Sequence, residues 1–284
     1  HGFGLAYLLM AISLGCSVSI LERADADVVL ERIADDRVQV LFAVPVMLGR
    51  MADAAAGSSA DLSTLRAVQS GAAPLAPALA ERFMSTFGEL LHDVYGSTET
   101  GWSTLAGPGN LRAAPGTVGP PLRGVSVRIL DDADMPISDG TIGQVFVDSG
   151  MTAPDYTGGG SKRIVDGHVS TGDLGHLDSA GRLFIDGRED DMIVSGGENV
   201  FPGEVEDLLA AHPDVVEVLV HGVADDEFGQ RLRAVVVRRD GSSMSENAVR
   251  AHVREHLARY KVPRDVEFVD TLVRTATGKI KRQA

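Results

Sequence analysis

The sequence predicts an α/β protein built from three consecutive parts. Apolar strands alternate with helical patterns from Gly4 to about Tyr95, and short strands separated by Gly and Asp turns follow from about Gly116 to Asp186. After Asp190 the chain again mixes strands with an amphipathic helix. These textures predict a parallel α/β sheet with covering helices, a small β-barrel or sandwich, and an α+β domain. We place the boundaries at residues 1–115, 116–189 and 190–284.

The first part opens with "LAYLLMAISLGCSVSIL", which predicts a buried helix followed by a strand. The elements that follow are a helix over 27–36, a strand over 38–44, a helix over 45–56, a strand over 65–71, a helix over 77–87 and a strand over 90–96. Ligands of parallel sheets bind beyond the carboxyl ends of the strands. The turns "SGAAPL" and "YGSTETG" fall at two such ends, so we expect a binding site there.

The third part contains two apolar strands, "VEVLVHGV" and "LRAVVVRR", and the helix "ENAVRAHVREHLARY". Ser243 and Glu246 have the spacing of a capping box at the start of that helix. Its predicted apolar face consists of Val249, Val253, Leu257 and Tyr260. His252 and His256 stand four residues apart and could ligate a metal, but the arginines around them favour a solvated face.

Composition excludes several classes of function. The formal net charge of −14 disfavours binding to nucleic acid or to an anionic membrane. No apolar run reaches the roughly 18 residues that a membrane span needs. No basic region precedes the apolar start, as it would in a signal peptide, so we expect a cytoplasmic protein. Cys16 is the single cysteine, which excludes an intramolecular disulfide. The chain enters an apolar helix directly and without a starting Met, which we interpret as the middle of a longer protein.

Three short stretches have side chains suited to a nucleotide. "VYGSTETG" places hydroxyls and Glu99 after a buried strand, where they suit phosphate and Mg²⁺ contacts. "STGDLGHLD" presents Asp173, whose carboxylate could accept two ribose hydroxyls. "RTATGKIKR" surrounds Lys279 with small residues, and a lysine there could neutralise a developing negative charge. Each stretch taken alone is also compatible with an ordinary polar turn or a basic tail.

A fourth stretch, "DGREDDMIVSGGENVFPGEVE", joins the second part to the third. Acidic residues and an arginine crowd its start, a short apolar strand follows, and a glycine turn then precedes a helix that begins near Pro202. This arrangement indicates a charged joint followed by a flexible turn.

The order of these stretches along the chain is more specific than any one of them. "SGAAPL", "YGSTE", "STGD", "GREDDMIVSGGENVFPGEVE" and "RTATGKIKR" follow one another over nearly the whole sequence. In this order they resemble the adenylate-forming superfamily, and within it the fatty-acid–CoA ligase branch of the acyl-CoA synthetases. The resemblance implies the second half of a large parallel α/β sheet domain, a small β-barrel subdomain and a mobile C-terminal domain.

The resemblance also implies a reaction. Such enzymes use ATP and Mg²⁺ to convert a carboxylic acid into an acyl-adenylate and pyrophosphate. They then transfer the acyl group to the thiol of coenzyme A and release AMP. The implied partners are therefore small molecules, and a homo-oligomer is possible.

Residue roles carry over from the matching motifs. For the adenine, the resemblance implies contacts from the Gly71-Ala72-Ala73-Pro74 turn and from Tyr95, which would stack on it. Gly96 would also bind the nucleotide. Thr98 would contact the α-phosphate, Glu99 would hold Mg²⁺, and Asp173 and Arg188 would bind the ribose. For adenylation it implies Lys279 as the catalytic cation. For the thioester step it implies a hinge at Asp190 and a coenzyme A contact at Ser195, Gly196, Gly197 and Glu198. His1 and Gly101 would border the acyl pocket.

One family feature is missing from this sequence. Relatives hold the β- and γ-phosphates with a Thr/Ser/Gly-rich loop and its lysine, which the resemblance places upstream of His1. We therefore expect the 284-residue chain alone not to adenylate a substrate. Two alternatives stay open, namely a non-catalytic remnant that binds AMP or coenzyme A, and another adenylate-forming enzyme such as an acyl-AMP ligase.

Overall fold

A computed structural model of the chain describes residues 2–22, 25–153, 162–274 and 280–281. The chain forms two compact units. The first comprises residues 1–171 and 176–185, and the second comprises residues 172–175 and 186–284.

The first unit begins with helices packed on a four-stranded sheet. Its elements are α1 (Gly2–Ser13), α2 (Ala26–Asp35), β1 (Val40–Ala43), α3 (Pro45–Ala54), a 3₁₀ turn (Ala55–Gly57), β2 (Ala67–Ser70), α4 (Pro77–Phe87), β3 (Leu91–Ser97), β4 (Gly101–Ala106) and α5 (Pro108–Ala113). The strand order is β1-β2-β3-β4, with β1, β2 and β3 parallel and β4 antiparallel to β3. The predicted alternation of strands and helices is confirmed.

The core of this sheet explains why the helices could be predicted from the spacing of apolar residues in the sequence. Leu30, Leu48, Phe83 and Leu91 are fully buried, and each comes from a different helix or strand. The apolar residues of α2, α3 and α4 recur every three or four positions, so each helix buries one stripe against the sheet.

The start of the chain differs from the prediction in two ways. Residues 17–21 form no strand, and Val18 and Ile20 are exposed. Helix α1 is present, but Leu5, Leu9 and Ile12 are each more than half exposed. Tyr7 of α1 is buried, but the described part of the chain supplies neither a pairing neighbour for residues 17–21 nor a packing partner for the exposed face of α1.

A second, six-stranded sheet follows. Its strands are β5 (Thr117–Gly119), β6 (Ser126–Leu130), β7 (Gly143–Asp148), β8 (Ile164–Val165), β9 (His168–Leu177) and β10 (Leu183–Arg188). The order is β5-β10-β9-β7-β6, and β8 pairs with β9. The predicted barrel is wrong, because the described strands form an open sheet with β5 and β6 at opposite ends. Strand β5 has three residues, and its pairing is with β10.

The second unit has the predicted α+β composition. Its elements are β11 (Ile193–Ser195), β12 (Glu198–Val200), α6 (Pro202–Ala210), β13 (Val215–Asp225), β14 (Gly229–Arg238), α7 (Glu246–His256), a 3₁₀ turn (Arg259–Lys261) and β15 (Asp265–Val269). The strand order is β12-β11-β14-β13, and β15 runs parallel to β14. Helices α6 and α7 bury Val205, Leu209, Val249 and Val253 in the core.

The start and end of α7 correct two details. The residue that caps the helix is Ser245, whose Oγ accepts a hydrogen bond from the amide of Ala248 at 3.2 Å, so the predicted Ser243 cap is wrong. Tyr260 is 41% exposed, because α7 ends at His256 and the helical period no longer applies to it. In the described residues, no helix has both the length and the apolar character that a membrane span requires.

Candidate nucleotide-binding site

Two predicted turns follow neighbouring strands in the first unit. Ser70 ends β2 and pairs with Asp93 on the parallel strand β3. The Gly71–Pro74 turn and the Tyr95–Glu99 segment therefore lie at the carboxyl ends of adjacent strands, where ligands of parallel sheets bind. Gly71 is buried and Ala73 is exposed, so the turn rises from the core to the surface.

Ala72 has an unusual backbone. Its φ is +67°, in the left-handed region that costs a residue with a Cβ about 1–2 kcal/mol. Non-glycine residues in this region cluster at ligand-binding sites, since the surrounding structure must hold them there. The strain supports a binding role for this turn, which the sequence alone indicated only by its position after a predicted strand.

The β3–β4 turn is ordered by Ser97. Its Oγ accepts hydrogen bonds from the amides of Glu99 and Thr100, both at 3.2 Å, and lies 3.1 Å from Thr100 Oγ1. The Glu99 carbonyl also accepts a hydrogen bond from Ala153 at 2.7 Å. The turn thus holds the backbone of Thr98 and Glu99, with the Thr98 side chain exposed and the Glu99 side chain half-buried.

Glu99 fits the Mg²⁺ role implied by the resemblance. Magnesium that accompanies a nucleotide keeps several waters and takes one or two carboxylates together with substrate phosphates. One half-buried carboxylate in a hydrogen-bonded turn meets that requirement. Among the described residues, no group of three or more His, Cys, Asp or Glu side chains is arranged to hold a metal ion.

Gly96 and Gly101 allow the hairpin to close. A Cβ at Gly96 would lie 2.0 Å from the Gly101 carbonyl oxygen. Gly101 has φ +68°, and a Cβ there would lie 2.7 Å from the Cβ of Met151. The close backbone approach at Gly96 is therefore an approach to the opposite strand of its own hairpin. Tyr95 is half-buried and packs against the apolar cluster of the second sheet.

A buried carboxyl group beside this turn was missed at the sequence level. Asp93 is 4% exposed, and its Oδ1 has no hydrogen-bond partner within the described part of the chain. Burial raises the pKa of Asp93 to about 7. Burial and the nearby Asp93 also raise the pKa of Tyr7, whose ring stacks on Phe42 and Trp102. An Asp inside the apolar strand "LLHDVYG" was the available signal, because Asp is depleted in strands.

In the second unit, Arg188 joins two other predicted site residues. Its Nη1 lies 3.2 Å from Asp173 Oδ1, and its Nε donates to Asp190 Oδ1 at 2.9 Å. The hydrogen bond to Asp190 is the main cause that raises the pKa of Arg188. The two residues expected at the ribose and the expected hinge residue therefore form one ionic cluster.

The Ser195–Glu198 segment is a two-residue hairpin turn. Ser195 pairs with Glu198 across β11 and β12, and Gly196 and Gly197 have φ values of +62° and +86°. Two consecutive positive φ values are what a type I′ turn requires. Gly196 packs on Phe228, whereas a Cβ at Gly197 would meet nothing within 4 Å. His1 and Lys279, which were also expected to contribute, lie outside the described residues.

Comparisons with known proteins agree with this arrangement of motifs. The AMP-binding enzyme family matches residues 1–157, and the AMP-binding enzyme C-terminal domain matches residues 204–279. The chain is 34% identical to the indoleacetate–CoA ligase of Aromatoleum aromaticum, over 96% of this chain and 54% of the relative. It is 33% identical to the medium/long-chain-fatty-acid–CoA ligase FadD8 of Mycobacterium tuberculosis, over 99% of this chain and 51% of the relative.

A solved structure is equally similar. The amide bond synthetase McbA from Marinactinospora thermotolerans superposes with a TM-score of 0.90 at 34% identity, over 98% of this chain and 58% of McbA. The chain thus spans about half the length of the relatives that it matches. The family match covers more than half of the chain and agrees with the turns described above. The chain belongs to the AMP-binding enzyme family, within the adenylate-forming superfamily that the order of its motifs indicated.

Proposed function

We propose that the chain is part of an ATP-dependent acid–CoA ligase that activates a fatty acid as an acyl-adenylate and transfers it to coenzyme A. The observation that supports this most directly is the turn at Ser97, which holds Thr98 and Glu99 at the carboxyl end of β3. That end of a parallel strand, next to the strained turn at Ala72, suits the phosphates of a nucleotide.

In the adenylation step, Thr98 donates its hydroxyl hydrogen bond to the α-phosphate. Glu99 holds Mg²⁺, which neutralises phosphate charge when bound. Gly71, Ala72, Ala73 and the ring of Tyr95 surround the adenine, with Gly96 beside it. Lys279 supplies a point charge between the carboxylate and the α-phosphate, a role that suits its compact ammonium group.

Asp173 and Arg188 take the ribose. The carboxylate of Asp173 accepts hydrogen bonds from the two ribose hydroxyls, and Arg188 keeps that carboxylate in place through the contact at 3.2 Å. Asp190 is the proposed hinge between a β subdomain at 116–189 and a C-terminal domain at 190–284. Asp190 accepts the hydrogen bond from Arg188, so a change in the backbone angles of Asp190 acts on this ion pair.

In the thioester step, the Ser195–Glu198 turn faces the pantetheine arm of coenzyme A. Gly197 leaves open space for that slender arm, because a Cβ there has no neighbour within 4 Å. His1 and Gly101 form part of the wall that faces the acyl chain. A cytoplasmic location and a homo-oligomeric state also remain predictions.

The kind of acid that is activated is proposed from the names of the relatives. The named substrates of the relatives include indoleacetate and medium to long fatty acids, so an aromatic acid is the closest competitor. The similarity to an amide bond synthetase supports a second candidate, in which an amine replaces coenzyme A as the acyl acceptor.

A two-part assay on an upstream-extended form of the chain tests the proposal. Exchange of pyrophosphate into ATP is measured with a panel of fatty and aromatic acids, and thioester or amide formation is then measured with coenzyme A or an amine. Acid-dependent exchange followed by thioester formation is the expected result. Exchange with amide formation only would favour the synthetase, and binding of AMP without any exchange would favour the non-catalytic remnant. The 284-residue chain alone is expected to show no exchange.

A further inference from the structure

Three histidines lie together in the second unit, where helices α6 and α7 pack against each other. His252 and His256 belong to the C-terminal part of α7, and His212 follows the end of α6. The ring centroids of His252 and His256 are 4.5 Å apart, and those of His252 and His212 are 4.9 Å apart. The spacing in the sequence indicated the pair on α7, and the fold brings His212 beside it.

The hydrogen bond of His256 determines which of its ring nitrogens can bind a metal ion. Its Nδ1 lies 2.8 Å from the His252 carbonyl oxygen. A carbonyl oxygen only accepts hydrogen bonds, so Nδ1 carries the proton and the lone pair of the neutral ring is on Nε2. Histidines that bind metals commonly have this arrangement, in which a backbone carbonyl fixes the tautomer and the orientation of the ring. His256 is exposed, so ions in solution can reach this residue.

The separation of His252 and His256 suits one ion bound to both rings. A metal ion about 2.0–2.1 Å from one nitrogen of each ring holds the two ring centroids about 4.5–5 Å apart at the usual ligand angles. The distance of 4.5 Å between these two centroids lies at the short end of that range. Burial and the neighbouring His256 and His212 lower the pKa of His252, and a metal ion binds the neutral form of imidazole.

His212 packs beside the pair and does not offer a nitrogen to the ion. Its Nδ1 accepts a hydrogen bond from the Asp214 amide at 3.2 Å, so the neutral ring carries its proton on Nε2 and has no lone pair left for a metal. Its ring meets the His252 ring edge-on, with the two planes at 84°. A site of two histidines therefore agrees with the lack of a three-ligand group among the described residues.

The arginines near the pair in sequence do not oppose a bound cation. Arg250 and Arg254 are each two positions from His252, and residues two positions apart in a helix do not face each other. The Arg250 guanidinium pairs with Glu246 at 2.8 Å and donates to the Arg264 carbonyl at 2.9 Å. The pair also lies at the C-terminal end of α7, where the helix dipole favours positive charge.

We propose that His252 and His256 form a two-histidine site for a divalent transition-metal ion, with water in the remaining coordination positions. Imidazole nitrogens suit Zn²⁺, Ni²⁺ and Cu²⁺, whereas Mg²⁺ prefers oxygen ligands. The ion joins two successive turns of α7 and stabilises the folded chain when it binds. The site uses none of the residues proposed for the nucleotide or for coenzyme A, so the inference does not depend on the proposed function.

The test is calorimetric titration of the 284-residue chain with Ni²⁺, repeated with Mg²⁺. We expect His252→Ala and His256→Ala each to weaken Ni²⁺ binding by more than about tenfold, since loss of a mere hydrogen-bond partner of a metal ligand already costs about 10–100-fold in affinity. Neither variant should change the response to Mg²⁺. Ni²⁺ should also raise the midpoint of thermal unfolding more in the unmodified chain than in the two variants.

The design separates this site from other ligands of Ni²⁺. His1 and Cys16 can also bind the ion, but they remain in every variant, so the differences between variants report the pair alone. His256→Ala changes an exposed residue in the last turn of α7, so it tests the site even if His252→Ala destabilises the chain. Thermal unfolding without metal verifies the fold of each variant.

His221→Ala is the matched control, because it removes an imidazole on β13 that belongs to no histidine pair in the described part of the chain. His212→Phe keeps a ring beside His252 and should bind Ni²⁺ as the unmodified chain does. Unchanged Ni²⁺ affinity in both alanine variants of the pair, or equal weakening by His221→Ala, would overturn the inference. Loss of Ni²⁺ binding in His212→Phe would overturn the assignment of two histidine ligands.

Discussion

A Cβ at Gly96 would lie 2.0 Å from the carbonyl oxygen of Gly101, so the β3–β4 hairpin closes only with glycine at position 96. The neighbour is backbone, which cannot rotate away as a side chain could. The two glycines therefore determine the shape of the turn that presents Thr98 and Glu99.

Replacing Gly96 by Ala should destabilise the chain by about 1–3 kcal/mol, the usual cost of forcing extra atoms into a packed site. Urea unfolding measures the change. Gly109→Ala is the matched control, because Gly109 lies in α5 and a Cβ there has no neighbour within 4 Å. We expect the control to be neutral or slightly stabilising, since Ala favours helix over Gly. Equal stability of the two variants would contradict this account of the turn.

Asp93 should make the free energy of unfolding fall as pH rises, which is the opposite of the usual effect of a carboxyl group. Its pKa of about 7 in the folded chain is above the ordinary Asp value, so the folded state binds the proton more tightly than the unfolded state. The contribution of this group to the free energy of unfolding therefore falls as pH rises from about 4 to about 7. Each unit of difference between the two pKa values corresponds to about 1.4 kcal/mol.

Asp93→Asn removes this titration. We expect the variant to gain stability relative to the unmodified chain between pH 5 and pH 8, measured as the difference between their free energies of unfolding in urea. Glu31→Gln, which removes an exposed carboxylate on α2, is the control for the loss of one negative charge. A difference for Asp93→Asn that stays constant across this range would mean that Asp93 is ionised throughout.

Arg188→Ala should weaken the binding of AMP and leave the free energy of unfolding nearly unchanged. Arg188 is 48% exposed, and exposed ion pairs contribute about 1 kcal/mol or less, so the free energy of unfolding should change little. Loss of the charge that holds Asp173 should weaken AMP binding about tenfold, as measured by calorimetry. Arg182→Ala is the control, since it removes another Arg–Asp pair, with Asp178 at 2.6 Å, to which no proposed site residue belongs. Unchanged AMP binding in Arg188→Ala would argue against the proposed ribose site.

The two glycines of the Ser195–Glu198 turn should differ on substitution by Ala. Both have positive φ, so each substitution should cost about 1–2 kcal/mol in backbone strain. Only Gly196→Ala adds a contact, because its Cβ would lie 2.9 Å from Cδ1 of Phe228. Thermal unfolding should therefore rank Gly196→Ala as the less stable variant.

The same pair distinguishes the two half-reactions in an upstream-extended protein. Gly197→Ala narrows the space proposed for pantetheine, so thioester formation should slow while exchange of pyrophosphate into ATP stays near its original rate. A variant that loses both activities together would indicate that the turn also serves adenylation.

Local patterns were enough to identify most of the helices and many of the strands. Helix α4 covers the predicted residues, Pro77–Phe87, because its apolar residues recur with the helical period and Pro77 marks its start. The "SGG" segment indicated a turn because consecutive glycines permit the positive φ values that the hairpin has. The order of the motifs identified the family, since that order is read from the sequence alone.

Features that depend on distant partners could be seen only in the folded chain. In the described residues β5 pairs with β10, a strand more than 60 residues away, and not with β6, so the six-stranded sheet is open. No local pattern specifies that choice of partner. The exposure of Leu5 and Ile12 and the burial of Asp93 depend on which elements cover them. The sequence by itself determined the local elements and the family of this protein, because period and turn chemistry act over a few residues. The tertiary structure decided that the six-stranded sheet is open, which side chains are buried, and that the pKa of Asp93 is raised. Strand pairing and desolvation arise from residues that are distant along the chain.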